Sequence, residues 1–392
     1  MIELLAPAKN LETLKFALLY GADAVYIGGK DYSLRANADN FSIDEIKEAV
    51  LYAHNLNKKV YVTVNILFHN KDFLGLEEYV KKLYKFNVDA VIVSDVGAIK
   101  IIKDTVPNLE IHLSTQASCM NNVAALFYKE LGVKRIVLAR ECNKNEVENI
   151  SKICDVECFI HGAMCSSISG QCVLSNYITN RDSNRGGCAQ ICRWEFDLLD
   201  KNNNEVKHDT KFTMCSKDLS MITNIKSMID NNVASLKIEG RMRSIYYVAT
   251  ILNVYREVID KYLNKEEVDI KYYEKVLYRC ANRDNVSQFY NDENSLKEQY
   301  YLGRVEHTNK DFLGLVLDYK NDEIILEQRN YFKEGEIVEI FGPNTKTFEL
   351  VVEEVMDEDN NNIKIARHPK QIIKIPCKNK VEKNCIIRKK IN

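Results

Sequence analysis

Four cysteines in one segment are the first residues able to do chemistry. His161-Gly-Ala-Met-Cys165 leads to Ser169-Gly170-Gln171-Cys172, then to Gly186-Gly187-Cys188 and to Cys192-Arg193-Trp194. Six, fifteen and three residues separate successive cysteines. Four thiolates from one segment can surround one metal centre. Zinc sites usually present tight pairs with roughly two to four intervening residues, and only Cys188 and Cys192 form such a pair. Iron–sulfur clusters also take four cysteines and accept irregular spacings. Glycines beside Cys172 and Cys188 let backbone amides approach sulfur, where they stabilise an anionic cluster. Spacing alone leaves a cluster, zinc and no metal all open, with Cys215 a spare candidate ligand. Nine of the twelve cysteines lie between positions 119 and 215, which reads as a metal site in a reducing cell rather than a disulfide scaffold. Cys154, Cys158, Cys280, Cys377 and Cys385 read as small buried or surface residues.

A second set of polar groups follows short apolar runs. It comprises Gly28-Gly29 with Arg35 shortly after, Asn65, Ser94-Asp95, Gln116, Arg140, His161, and Glu239 with Arg241. Singly, each reads as a cap or loop residue. Together they form a concentrated set able to bind anions or move protons. Lys237, Glu239 and Arg241 alternate, so on a strand they share a face. Arginine suits bidentate recognition of carboxylate or phosphate. The bland reading is an ion pair tying Glu239 to a neighbouring cation.

These groups need a scaffold. The apolar runs Ile2–Ala6, Ala24–Gly28, Val60–Asn65, Ala90–Ser94, Ile111–Thr115, Arg135–Ala139 and Val156–His161 alternate with amphipathic stretches such as Leu11–Leu19, Ile43–Leu56, Leu76–Phe86 and Asn145–Cys154. An eighth run, Ala234–Ile238, follows a helical stretch Leu219–Asp230 and precedes a long helix, Ile245–Leu263. This is an α/β pattern that predicts a (β/α)8 TIM-like barrel, in which the strand ends above would form the functional face. An open doubly wound sheet is the alternative. The barrel with its Cys-rich insertion, 162–217, after strand seven spans 1–263. A helical or polar connection spans 264–311. Residues 312–392 read as a small antiparallel β-barrel, because short strand-like runs alternate with turn signals such as Phe341-Gly342-Pro343-Asn344.

The chain has 392 residues, 46% apolar and 28% charged, enough to bury large cores and stay soluble. No apolar run approaches the ~20 residues of a membrane span. The opening segment carries acids and Pro7, unlike a signal peptide, so a cytoplasmic location and no membrane partner are expected. A net charge of -2 supplies no global field for nucleic acid. The tail differs: residues 360–392 hold ten Lys or Arg against Glu382 alone, and residues 348–359 hold six acids and no base. Such segregation can make a basic face for RNA phosphates. The competing reading is a solvated surface with compensating pairs.

The stretch Glu157–Ser175, containing His161-Gly-Ala-Met-Cys165 and Gly170-Gln-Cys172, resembles the signature of the collagenase-like peptidase family U32. The resemblance covers nearly the whole chain. It includes Glu3-Leu-Leu-Ala-Pro7, Gly21–Gly28, Arg35-Ala, Ser114-Thr-Gln116, Gly187–Trp194, Ser216-Lys-Asp218-Leu and Ser235–Arg241. The paired Cys188 and Cys192 before Arg193-Trp194 are similar to the family's tRNA-hydroxylation branch. That resemblance implies a [4Fe–4S] cluster on Cys165, Cys172, Cys188 and Cys192. It implies oxygen-independent, prephenate-dependent formation of 5-hydroxyuridine at the tRNA wobble position. On that reading Arg140, Arg241 and Arg35 hold carboxylates of the donor, and Gln116 and Lys237 join the substrate site. His161 and Glu239 are the candidates for proton transfer, and tRNA lies on the basic tail and barrel rim. A partner protein or a homo-oligomer stays open. The alternative is the peptidase activity in the family's name. It lacks a nucleophile paired with a base, and Cys165 cannot be both cluster ligand and free nucleophile.

Overall fold

A computed structural model describes residues 2–34, 39–207, 209–281, 283–292, 295–301, 303 and 311–391. Seven strands open the chain: β1 (Glu3–Pro7), β2 (Ala24–Gly28), β3 (Lys59–Val64), β4 (Ala90–Val93), β5 (Glu110–Leu113), β6 (Arg135–Val137) and β7 (Asp155–Gly162). The helices between them are α1 (Leu11–Leu19), α2 (Ile43–Asn55), α3 (Leu76–Lys85), α4 (Val96–Thr105), α5 (Asn122–Glu130) and α6 (Lys144–Ser151). Then follow α7 (Leu174–Thr179), β8 (Asp218–Ser220), α8 (Ile225–Asp230), β9 (Ser235–Ile238), α9 (Ile245–Leu263) and α10 (Ile270–Cys280). Strands β1 to β7 pair in sequence and in parallel, and β9 pairs in parallel with both β7 and β1. The sheet therefore closes into an eight-stranded barrel with helices outside. The strands are nearly continuous buried runs, as strands covered on both faces must be. Short polar side chains start the helices: Asn10, Ser42, Asp95, Asn121, Asn143 and Ser244 each accept an amide of the first turn.

The stretch expected to be one helix from Leu219 divides. Its start is β8, which runs antiparallel to β7, and only Ile225–Asp230 is α-helical. A short β10 (Asn285–Val286) pairs with β8 and extends the sheet beyond the barrel. In the insertion, the expected hairpin is marked by isolated antiparallel bridges Phe196–Phe212 and Leu199–Glu205.

The tail forms β11 (Phe312–Lys320), β12 (Glu323–Gln328), β13 (Phe332–Lys333), β14 (Ile337–Phe341), β15 (Phe348–Val351), β16 (Ile365–Ala366), β17 (Ile372–Pro376) and β18 (Ile386–Lys389). Six of these make one antiparallel sheet, and β13 pairs with β16 as a separate ribbon. This unit has its own apolar core, including Leu313, Ile324, Phe332, Ile340 and Ile373. It also packs on the barrel: Tyr246 stacks on Phe312 at 5.0 Å, and the Tyr20 hydroxyl donates to the Asn384 carbonyl at 2.8 Å. Among the described residues no helix is long and apolar enough to cross a membrane.

Candidate functional site

The barrel interior holds a column of charge. The Arg135 guanidinium lies 2.6 Å from Glu3 and 3.4 Å from Glu157, and the Lys237 ammonium donates to Glu157 at 2.7 Å. The Tyr61 hydroxyl donates to Glu3 at 2.6 Å, and the Ser235 hydroxyl does so at 2.9 Å. Buried ions of one sign would cost several kcal/mol each, so alternation of sign is what makes this column tolerable. Burial favours a neutral Glu157, but Lys237 and Arg135 outweigh it and hold the carboxyl below its usual range. Burial lowers the Lys237 pKa.

Above Lys237 lies Tyr26, with the ammonium 4.4 Å from its ring centre. The Tyr26 hydroxyl sits 3.1 Å from a Glu239 carboxylate oxygen and 3.0 Å from the Ile238 carbonyl, and burial and Glu239 together raise its pKa. Glu239 is at the strand's C-terminal end, where the barrel opens. The Arg140 guanidinium is 3.9 Å from Glu239, stacks 3.8 Å from the Phe159 ring centre, and donates to the Ala163 carbonyl at 3.1 Å. Arg241 donates to the Ser33 hydroxyl at 2.9 Å. Its guanidinium crosses Gly28 so closely that any Cβ there would collide with it. Gly162, at φ +114°, likewise leaves room only for the Glu239 backbone.

Beside this group is a second carboxylate, Asp218, at the start of β8. Arg283 pairs with it directly and Arg243 lies 3.3 Å away. Arg193 and Arg140 also act on it electrostatically. Arginines 140, 193, 243 and 283 thus gather around two carboxylates, Glu239 and Asp218, and a fifth, Arg241, acts with Arg140 on the neighbouring Tyr26. That excess of positive charge in a partly buried mouth suits a multiply charged anion, with Glu239 available for proton transfer. Tyr26, Asp218, Arg193, Arg243 and Arg283 were not singled out as site residues from sequence. The available signals were the alternation reaching Arg243, the Cys192-Arg193-Trp194 run and the Ser216-Lys-Asp218-Leu run.

The remaining expected site residues sort differently. Lys237 shares the inward face with Glu239, but it lies one layer deeper and is held by Glu157. The His161 carbonyl accepts from the Glu239 amide at 2.8 Å, but its imidazole is directed away from the Glu239 carboxylate. A bulge between Phe159 and His161 shifts the register against β9, so His161 pairs with outward-facing Ile238 instead of continuing the inward face of Glu157 and Phe159. Its imidazole Nδ1 is 3.2 Å from the Tyr255 hydroxyl on α9, and burial, with Arg243 nearby, pushes its pKa down to about 3. A proton-transfer role at the mouth does not fit that position. Gln116 lies at the rim after β5, where its carbonyl accepts from the Gln171 side chain. Arg35 lies outside the described residues.

The cysteine segment lies over this rim. Ser169 donates its amide to Glu141 at 2.9 Å, and Arg185 forms a bidentate pair with Asp72 at 2.6 and 2.7 Å. Arg185 holds the Asp72 carboxyl down at about 2. All twelve cysteines are free thiols. The Leu174 amide donates to Cys172 Sγ and the Gln190 amide to Cys188 Sγ, each at 3.4 Å. Ser167 lies 3.1 Å from Cys165 Sγ, and Ser166 hydrogen-bonds Cys192. Each of the four sulfurs thus has a polar partner, and the two amide donors arrive from two residues ahead. Donors so placed suit thiolate ligands of a metal cluster. Cys165 and Cys215 both lie in electrostatic reach of Cys192. Cys215 is otherwise engaged, accepting from Arg283 at 3.4 Å in a buried position. Among the described residues, no three His, Cys, Asp or Glu side chains close on a single ion position.

Known proteins resemble this chain in sequence over both the barrel and the β domain. The model of peptidase family U32 matches residues 9–300, and that of the U32 C-terminal domain matches residues 308–388. The chain belongs to this family. It is 48% identical to the tRNA hydroxylation protein P1 of Bacillus subtilis, over 99% of this chain and 94% of that protein. It is 39% identical to a 23S rRNA 5-hydroxycytidine synthase of Escherichia coli, over 66% of this chain and 39% of that protein. It is 31% identical to a collagenase of Porphyromonas gingivalis, over 97% of this chain and 95% of that protein.

Proposed function

We propose that the chain is an RNA-modifying enzyme that hydroxylates the wobble uridine of tRNA to 5-hydroxyuridine, using prephenate and a [4Fe–4S] cluster. The observation that carries this reading is the mouth itself. Five arginines gather around Glu239, Tyr26 and Asp218 beneath a segment whose four cysteine sulfurs each have a polar partner. The names of relatives that act in tRNA and rRNA hydroxylation support the substrate class.

Cys165, Cys172, Cys188 and Cys192 would hold the cluster, which supplies redox chemistry or a Lewis-acid iron when bound. The arginines perform the recognition. Prephenate carries two carboxylates, and Arg140 lies beside Glu239 and Arg241 beside its partner Tyr26, while Arg193, Arg243 and Arg283 surround Asp218. Phe159 holds the Arg140 plane from below, and Ser33 orients Arg241, so both guanidinium groups are set before a ligand arrives. Glu239 is the proton carrier at the mouth, steadied by the Tyr26 hydroxyl. The enzyme would act in the cytoplasm, with no membrane partner.

Anaerobic purification with iron and sulfide quantitation tests the cofactor. About four irons and four sulfides per chain, with a broad absorption near 400 nm that is lost in Cys188→Ser, is the expected result. A colourless protein that cleaves a defined peptide would overturn the reading in favour of hydrolysis.

A further inference from the structure

A neutral polar group at the mouth has no role in the site described above. Asn65 directly follows β3, and Tyr61, Thr63 and Asn65 alternate on the inward face, with the Tyr61 ring among Tyr26, Ala90 and Ile92 inside the barrel. The Asn65 Nδ2 donates to the Ser114 hydroxyl at 3.2 Å. Ser114 directly follows β5, and β4 lies between β3 and β5 in the sheet. A bond that skips a strand crosses the barrel interior, so the carboxamide lies inside the mouth. Its oxygen, Oδ1, is enclosed and has no hydrogen-bond partner among the described residues. The backbone there is fixed as well. The Tyr32 carbonyl accepts the amides of Asn65 and Ile66 at 2.9 and 3.3 Å, and Tyr32 itself is held in the left-handed region at φ +61°. A bulky residue rarely adopts that backbone, and such residues cluster where ligands are clamped. One layer deeper, the Thr63 and Ser33 hydroxyls bond at 3.0 Å, and Ser33 accepts from Arg241 at 2.9 Å. The unpaired oxygen is therefore uncharged and borders the charged half of the mouth.

We infer that the Asn65 carboxamide oxygen accepts the imide N–H of the target uracil and so orients the base in the barrel mouth. This rests on the RNA-modifying reading above. A buried acceptor left unpaired costs free energy that a hydrogen-bond donor returns. A carbonyl oxygen repels the carboxylates that arginine attracts, so its partner is a neutral N–H or O–H group. A uracil turned out of its stack brings such a donor on its Watson–Crick edge, where enzymes that act on flipped bases read them. The tie to Ser114 and the Tyr32 carbonyl hold the amide in place before the base arrives. The ring hydroxyl of prephenate is the rival donor.

The test uses full-length, anaerobically purified protein and two synthetic anticodon stem–loops labelled at one end. One carries uridine at the wobble position and the other 3-methyluridine, in which a methyl group replaces the imide proton. Binding is followed by anisotropy. Wild type should bind the uridine loop about 5- to 150-fold more tightly, the span set by leaving a buried acceptor unpaired. Asn65→Ala should bind the two loops alike. Asn65→Asp, which keeps an acceptor of the same shape, should retain the preference for uridine. Equal binding of both loops by wild type overturns the proposal whatever the variants do, and leaves the RNA reading intact. A uridine preference that survives Asn65→Ala overturns it too, because the imide is then read elsewhere. Weaker prephenate binding in Asn65→Ala, with loop discrimination unchanged, assigns the oxygen to the prephenate hydroxyl and overturns the proposal. Failure of wild type to bind any RNA overturns the RNA reading itself.

Discussion

His161 gives the sharpest stability prediction. A neutral imidazole packed against Tyr255 resists protonation down to about pH 3, whereas an unfolded chain takes up the proton near its ordinary value of about 6.5. The folded pKa is depressed, so the stabilisation is complete above pH 6.5 and is lost as pH falls toward 3. Linkage gives a loss of about 0.8 kcal/mol at pH 6 and about 2 kcal/mol at pH 5, rising to about 5 kcal/mol once both states are protonated. His161→Gln removes this proton uptake. Urea denaturation followed by far-ultraviolet circular dichroism at pH 7, 6 and 5 should therefore show wild type losing its advantage over the variant by about 2 kcal/mol between pH 7 and 5. A constant gap would mean that the imidazole is already charged or solvated, and the outward, buried placement would be wrong. The same variant should keep tRNA hydroxylation within a few-fold of wild type, since loss of a general base costs about 10²- to 10⁴-fold.

Three further outcomes follow from the site. Lys237→Met leaves Glu157 buried with only the more distant Arg135, and should cost about 3–5 kcal/mol in denaturant unfolding; adding Glu157→Met, which leaves the Arg135–Glu3 pair in place, should restore most of it. Glu239→Gln removes the proposed proton carrier at the mouth and should lower the proposed hydroxylation at least about 100-fold while iron content and the thermal midpoint stay near wild type. Arg185→Ala breaks the bidentate tie to Asp72, and limited proteolysis should then cut the 162–217 segment several-fold faster while the barrel survives; unchanged cleavage would show that the segment is held elsewhere.

Much of the barrel was legible because its strands are covered on both faces and its helices carry caps at their starts. Helix Ile245–Leu263 was read to the residue, for it pairs a Ser244 cap with an apolar face. Helix α10 was expected only as an unplaced part of a helical or polar connection, although Tyr273, Val276, Leu277 and Cys280 repeat at helical spacing on its buried side. Strand β8 was absorbed into a helix because three residues are too few to show an alternation. Glu239, Arg140 and Arg241 were legible as strand ends. His161 was misplaced because one bulged residue inverts every side chain after it, and nothing in the local sequence marks the bulge. Asp218, Arg243 and Arg283 come from separate elements, so only the closed barrel brings them together. The basic tail was legible only as a count. Arg388 is spent on Glu339 and Lys390 on Glu349, while Lys364, Arg367 and Lys370 stay exposed.

In the proposed function, four cysteines over the arginine-lined mouth support tRNA hydroxylation. Mass-spectrometric quantitation of 5-hydroxyuridine tests it in tRNA from cells lacking this gene and any paralogue, complemented with wild type or Cys188→Ser. Wild type should restore the nucleoside and Cys188→Ser should not, at equal protein level. Full modification with Cys188→Ser, or none with wild type, would contradict the account.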